Sequence, residues 1–152
     1  MNLTREKYEE YQRIAKELNF EMNDLSDTPY EVAVQCCNGI GPEWFPPILR
    51  DIIDALHPSL IIDSLNHDIN WSKKHKKSAE YFLASNKAFE VNGIKVAKWR
   101  YCCINPLRYW VIHKAKQSHR LLNKYGGKAY NRACEESGND DATASAIDFP
   151  LS

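Results

Sequence analysis

Breaks at His57-Pro58, Asn105-Pro106 and Gly126-Gly127 cut this chain into helical lengths. The residue before a proline is pushed out of the helical region, whereas proline itself suits the first turn of the next helix. Between these breaks apolar residues recur at helical spacing, as in Ile48, Ile52, Ile53 and Leu56, or Ala79, Phe82 and Leu83 with Asn86 close to the same face. Thr4 is an N-cap for a first helix over 5–18, where Tyr8, Tyr11, Ala15 and Leu18 form one stripe. Helices are therefore expected over 5–18, 48–56, 58–71 and 76–89. Another runs from about 95 to Gly126-Gly127, interrupted at Asn105-Pro106. Asn23 to Pro29 reads as a polar connection and Tyr30 to Cys37 as an extended approach to a glycine turn. Asn92-Gly93 reads as a turn, with room for a two-residue hairpin between 89–91 and 94–96. The fold class is mainly α.

A length of 152 residues with 43% hydrophobic content suits a single globular domain, expected over 1–134. From Glu135 the chain is acidic, small and polar, so 135–152 is expected to be a disordered tail. No apolar run reaches membrane-span length, and the N-terminus lacks the charged-then-apolar form of a signal peptide, which points to the cytoplasm. Five cysteines occur as Cys36-Cys37, Cys102-Cys103 and Cys134. Adjacent pairs, an odd count and no Cys-x-x-Cys disfavour a disulfide framework or structural zinc, leaving buried reduced thiols.

The zero net charge hides a strong segregation. Residues 1–72 carry 5 Lys/Arg against 13 Asp/Glu (−8), residues 73–132 carry 15 against 2 (+13), and residues 133–152 carry none against 5 (−5). Such a basic middle suits nucleic acid, an anionic membrane surface or the chain's own acidic portions. Along 95–128 cations interleave with rings, as in Lys98-Trp99-Arg100-Tyr101 and Arg108-Tyr109-Trp110. Phosphate contacts and base stacking would use both. Helical spacing alternatively makes Trp99, Tyr109 and Trp110 core residues.

Chemistry is concentrated in two short motifs. Cys37-Asn38-Gly39-Ile40-Gly41-Pro42 is a Gly-x-Gly turn able to aim backbone carbonyls at a hard cation, and Asn66-His67-Asp68-Ile69-Asn70-Trp71 puts a His-Asp pair on a helix. If 58–71 and 76–89 are antiparallel and joined near Lys74, Glu80 lies level with His67. It could then accept from the imidazole and fix its tautomer. Asp68 projects about 100° round the helix from His67, so it could bind a cation while His67 activates a water. The chemistry implied is metal-assisted hydrolysis with a general base.

This arrangement resembles the phospholipase A2 superfamily, in particular its small bacterial and phage-type branch. The matching residues are the Cys37–Gly41 turn, His67-Asp68, Trp71 where the family usually has tyrosine, and Ala79–Asn86 as the partner-helix segment, with Glu80 at a position normally held by aspartate. Ser64 stands where the family generally has cysteine. The resemblance covers about residues 34–90. It implies that Ca²⁺ is held by the carbonyls of Cys37, Gly39 and Gly41 and the carboxylate of Asp68. It further implies that His67 deprotonates the water attacking a phospholipid ester, that Glu80 orients His67, and that Trp44, Phe45 and Leu60 receive an acyl chain. A phage origin and a degenerate, non-catalytic relative are both compatible with it. The other function class is a non-catalytic protein that binds nucleic acid or a protein partner through 95–128. His57, His113 and His119 carry no site assignment.

Overall fold

The computed structural model of the chain describes residues 3–36, 59–72 and 78–136, with side chains through Asn131. Among these residues the secondary structure is helical throughout: α1 Arg5–Glu17, a 3₁₀ turn Asp24–Asp27, α2 Tyr30–Cys36, α3 Ile61–Ser72, α4 Ala79–Arg100, α5 Pro106–Tyr125 and α6 Gly127–Glu136. The mainly α expectation is met. None of the helices is long and apolar enough to cross a membrane among the described residues. The glycine turn, the 48–56 segment, Trp44, Phe45, the 73–77 run and 137–152 lie outside the described residues.

α1 begins and ends as its sequence dictates. The Thr4 hydroxyl accepts from the Lys7 amide. At the other end Asn19 takes a left-handed φ of 49°, a conformation asparagine tolerates after a helix. There the amides of Phe20 and Asn19 return to the carbonyls of Ala15 and Lys16, closing a Schellman motif. Tyr8 and Gln12 then donate to carbonyls of Leu25 and Thr28, docking α1 on the 3₁₀ turn. Tyr8, Ile14 and Ala15 join Phe20, Leu25, Ala33, Ile62, Leu65, Ile69 and Val96 in the main core.

Four expectations need correcting. Tyr30–Cys36 is an α-helix rather than extended: the carbonyl of Pro29 accepts from Val32 and Ala33, so Pro29 opens the first turn, and buried Ala33 anchors the helix on the core. Asn92-Gly93 is not a turn and no hairpin forms, because both residues lie inside continuous α4. Trp99, Tyr109 and Trp110 are not core residues but 44%, 62% and 40% exposed. The inward face of α5 is instead made by Val111 and Ala115. Cys36, Cys102 and Cys103 are free thiols, and the last two are exposed rather than buried.

The overridden turn signal reveals what organises the bundle. Asn92, fully buried, donates to the carbonyl of Glu21 at 3.0 Å and accepts from its amide at 2.8 Å, fastening the 19–23 segment to α4. Beside it, a Cβ on Gly93 would lie 2.7 Å from Oδ2 of Asp63 and 2.9 Å from Cβ of Ala115. α3, α4 and α5 meet at this point at a distance that only glycine permits. Ala97, Ala115, Val111 and Leu60 extend the contact.

α3 is buried nearly all round, with eight of its twelve residues inaccessible. Asn66 donates to the Met22 carbonyl and accepts from the Leu25 amide. Asp63 has no such arrangement. Among the described residues neither of its carboxylate oxygens has a hydrogen-bond partner, although its own amide and that of Ser64 favour the charged form. Burial dominates and holds its carboxyl well above 3.8, the ordinary Asp value.

Two outcomes follow from the junction of α3, α4 and α5. Gly93→Ala gains up to about 1 kcal/mol in helix propensity, yet overpacking of a close-packed site costs about 1–3 kcal/mol. Denaturant unfolding should therefore show net destabilisation, and a more stable variant would refute the close approach. For Asp63, the folded chain keeps a proton that the unfolded chain releases above the ordinary carboxylate value. This contribution to stability is full below that value and is lost as pH rises through the raised folded value. Asp63→Asn should remove that slope, so its melting temperature relative to wild type should climb between pH 4 and 7. Parallel curves for the two proteins would refute the buried-proton account.

Candidate functional site

His67 sits in the second turn of α3 with its side chain only 6% exposed. Contacts between α3 and α4 run in opposite directions along the chain: Trp71 with Ser85, His67 with Asn86, Asp63 with Gly93. The partner level with the imidazole is thus Asn86, whose Oδ1 lies 3.0 Å from Nε2 of His67. Glu80, expected in that place, is instead an exposed residue in the first turn of α4. α3 ends at Ser72 and α4 starts only after its N-cap Ser78, and the residue facing His67 lies six positions further along α4 than expected.

Aromatic rings fix the imidazole plane. Trp71 packs on it with centroids 4.3 Å apart, and Phe89 meets it edge-on at 5.6 Å. Trp71 is itself held by its indole N–H, which donates to Ser85 Oγ at 2.9 Å, and by Phe82 and Tyr130. Tyr130 arrives because α6 turns back at Gly126, where a Cβ would stand 3.0 Å from the Trp71 ring. Phe82 and Tyr130, both buried, complete this small core with Tyr81.

A carboxamide oxygen can only accept, so with Asn86 presenting Oδ1 this contact calls for a proton on Nε2 of His67, which in the neutral ring leaves the lone pair on Nδ1. Nδ1 lies 3.9 Å from Oδ1 of Asp68, beyond hydrogen-bond reach. The Asp68 side chain is 28% exposed. Asn86 in turn donates from Nδ2 to Oδ1 of Asn123 at 2.8 Å, and Asn123 Nδ2 lies 2.9 Å from Nε2 of His119. Nδ1 of His119 is 2.6 Å from Oε2 of Glu90, which also receives Lys87 Nζ at 3.1 Å. Burial pushes the Glu90 carboxyl up, but Lys87 and His119 outweigh it and hold it below the usual range. The result is a continuous hydrogen-bonded line from His67 through Asn86, Asn123 and His119 to Glu90 and Lys87, with Asp68 beside its near end.

Of the expected site residues, the described structure brings His67 and Asp68 together and leaves Glu80 apart from the imidazole. Cys37, Gly39 and Gly41 fall outside the described residues. Trp71 is in van der Waals partnership with the histidine, and Ser64 is buried in α3. Leu60 belongs to the core with Ala97, Val111 and Ala115. Asn86, Asn123, His119 and Glu90 were not identified from sequence as one unit. Their spacing contains the signal: Asn86 and Glu90 are i, i+4 on one helix, and so are His119 and Asn123 on the next. An unprotonated imidazole nitrogen beside a half-exposed carboxylate can accept a proton from water while the carboxylate holds a cation.

No known protein family, characterised protein or solved structure matches this chain.

Proposed function

We propose that the protein is a phospholipase A2-like, calcium-dependent ester hydrolase with His67 as general base. The observation that carries this reading is the Asn86–His67 hydrogen bond, in which the Asn86 oxygen accepts from Nε2–H and so favours the neutral tautomer with Nδ1 as a base beside the Asp68 carboxylate. Burial by Trp71 and Phe89 holds the ring in one plane, so a water within reach of Nδ1 would be met by a fixed lone pair. Asn86 takes the orienting role that the family resemblance gives to Glu80.

The donor set suits a hard cation: one carboxylate, from Asp68, and the backbone carbonyls of Cys37, Gly39 and Gly41. Among the described residues no three His, Cys, Asp or Glu side chains gather as a metal cluster, and a site built largely from carbonyls requires none. When bound, calcium would supply a Lewis acid for the ester carbonyl and a partner for the lipid phosphate. Asp68 would hold it next to the base, and His67 would take the proton of the attacking water and return it to the leaving alcohol.

A second reading, a non-catalytic binder of nucleic acid or a protein partner, is favoured by a separate observation. Leu107, Trp110, Lys114, Leu121 and Tyr125 fall within about 60° on α5, and of these the four apolar or aromatic residues are 40–65% exposed. Lys114 stands over the Trp110 ring at 5.9 Å and Lys124 over Tyr125 at 5.2 Å. Such a basic, apolar stripe suits an anionic lipid surface under the first reading and stacked bases under the second.

Calcium should raise the melting temperature of the wild type, by an amount corresponding to about 2.7 kcal/mol at a hundredfold excess over Kd, and Asp68→Ala should abolish the rise. His67→Ala should keep the calcium response and lose about 10²–10⁴-fold in hydrolysis of phospholipid vesicles. Hydrolysis that survives in His67→Ala rules out the base. Salt-sensitive binding of single-stranded DNA or RNA without any calcium response selects the second reading.

A further inference from the structure

We propose that the carboxylate of Glu90, acting through His119, Asn123 and Asn86, decides which ring nitrogen of His67 carries its proton, so that Glu90 and His119 are positioning residues for that imidazole. With both imidazoles neutral, the line of side chains has only two self-consistent polarities. Each amide can turn over and each neutral imidazole can change tautomer, but every link must do so together to keep one donor facing one acceptor. The choice is therefore made at the ends.

At the far end Glu90 is acceptor-only. Its Oε2 stands 2.6 Å from Nδ1 of His119, so that nitrogen must donate. In the neutral ring Nε2 of His119 is then an acceptor and draws the NH₂ of Asn123, 2.9 Å away. Asn123 is left to offer its oxygen to Asn86 at 2.8 Å, and Asn86 offers its own oxygen to His67 at 3.0 Å. The near end pulls the other way. A proton on Nδ1 of His67 would face Asp68, but at 3.9 Å this attraction lacks a hydrogen bond. A 2.6 Å charge-assisted contact outweighs it. Lys87, 3.1 Å from the same Glu90 oxygen, keeps the acceptor charged.

The antiparallel packing of α4 and α5 makes this transmission possible. Asn86–Asn123, Glu90–His119 and Gly93–Ala115 are successive rungs between the two helices. The absence of a side chain at Gly93 draws the rungs close enough for direct hydrogen bonds.

The consequence for turnover rests on the reading of His67 as a base, whereas the tautomer itself is measured without calcium or lipid. Two-bond ¹H–¹⁵N spectra of the histidine rings, recorded metal-free on the neutral rings, should show His67 as the Nε2–H tautomer and His119 as Nδ1–H. Glu90→Gln, whose amide can also donate, should convert His67 to a mixture or to Nδ1–H. Asn123→Leu, which cuts the line at its middle, should do the same to His67 while His119 stays Nδ1–H. A His67 signature unchanged in folded Glu90→Gln overturns the proposal, whether or not Asn123→Leu folds. In vesicle hydrolysis Glu90→Gln should lower kcat by about tenfold to a hundredfold with KM unchanged. A tautomer response in a wild type that hydrolyses nothing upholds the relay and retires the hydrolase reading. Wild-type hydrolysis with no tautomer response overturns the relay and leaves the hydrolase reading standing.

Discussion

The close approach at Gly93 is the constraint on which the rest of this bundle depends. A methyl group there would enter the space of both Asp63 on α3 and Ala115 on α5. Helix axes brought this near allow short polar side chains to meet directly, where longer spacing would call for water or for Gln and Lys reach. The amide–amide contact of Asn86 and Asn123 is a product of that distance, and so is the Glu90–His119 pair one turn along. Packing thus sets the geometry of the polar line before any of its members contributes chemistry.

α3 carries an unusual burden for a helix of twelve residues. Its apolar side chains Ile62, Leu65 and Ile69 face the main core, yet Asp63, Ser64, Asn66, His67 and Asn70 are buried as well. Burial of polar groups is unfavourable unless partners are supplied. Asn66 meets that requirement by joining two backbone groups of the 22–25 segment, and His67 meets it through Asn86. Asp63 has no such partner among the described residues, and burial instead favours its uncharged form. The neighbours thus supply partners to Asn66 and His67, whereas the buried Asn70 side chain has none among the described residues.

Several features were legible in the residues themselves. Thr4 begins α1, Asn105-Pro106 begins α5, and Gly126 ends it, since capping chemistry acts within a few residues of the chain. His67-Asp68 was recognisable as a helix-borne pair. What misled was local signal opposed by a distant partner. Asn92-Gly93 has the chemistry of a tight turn, but Glu21, seventy-one residues away, occupies the Asn92 amide and α5 occupies the space at Gly93. Trp99, Tyr109 and Trp110 lie at helical spacing, yet periodicity states only that residues share a face, not whether that face is covered.

By itself, then, the sequence determined the helical character, most of the breaks and the His-Asp pair, because those are properties of neighbouring residues. Tertiary structure alone decided the partner of His67. The register of α4 against α3 put Asn86 in the place expected of Glu80, exchanging a charged orienter for a neutral one that relays to Glu90. Which nitrogen of an imidazole holds the proton depends on donors and acceptors drawn from three helices. That information is absent from any short motif and exists only once the helices are packed.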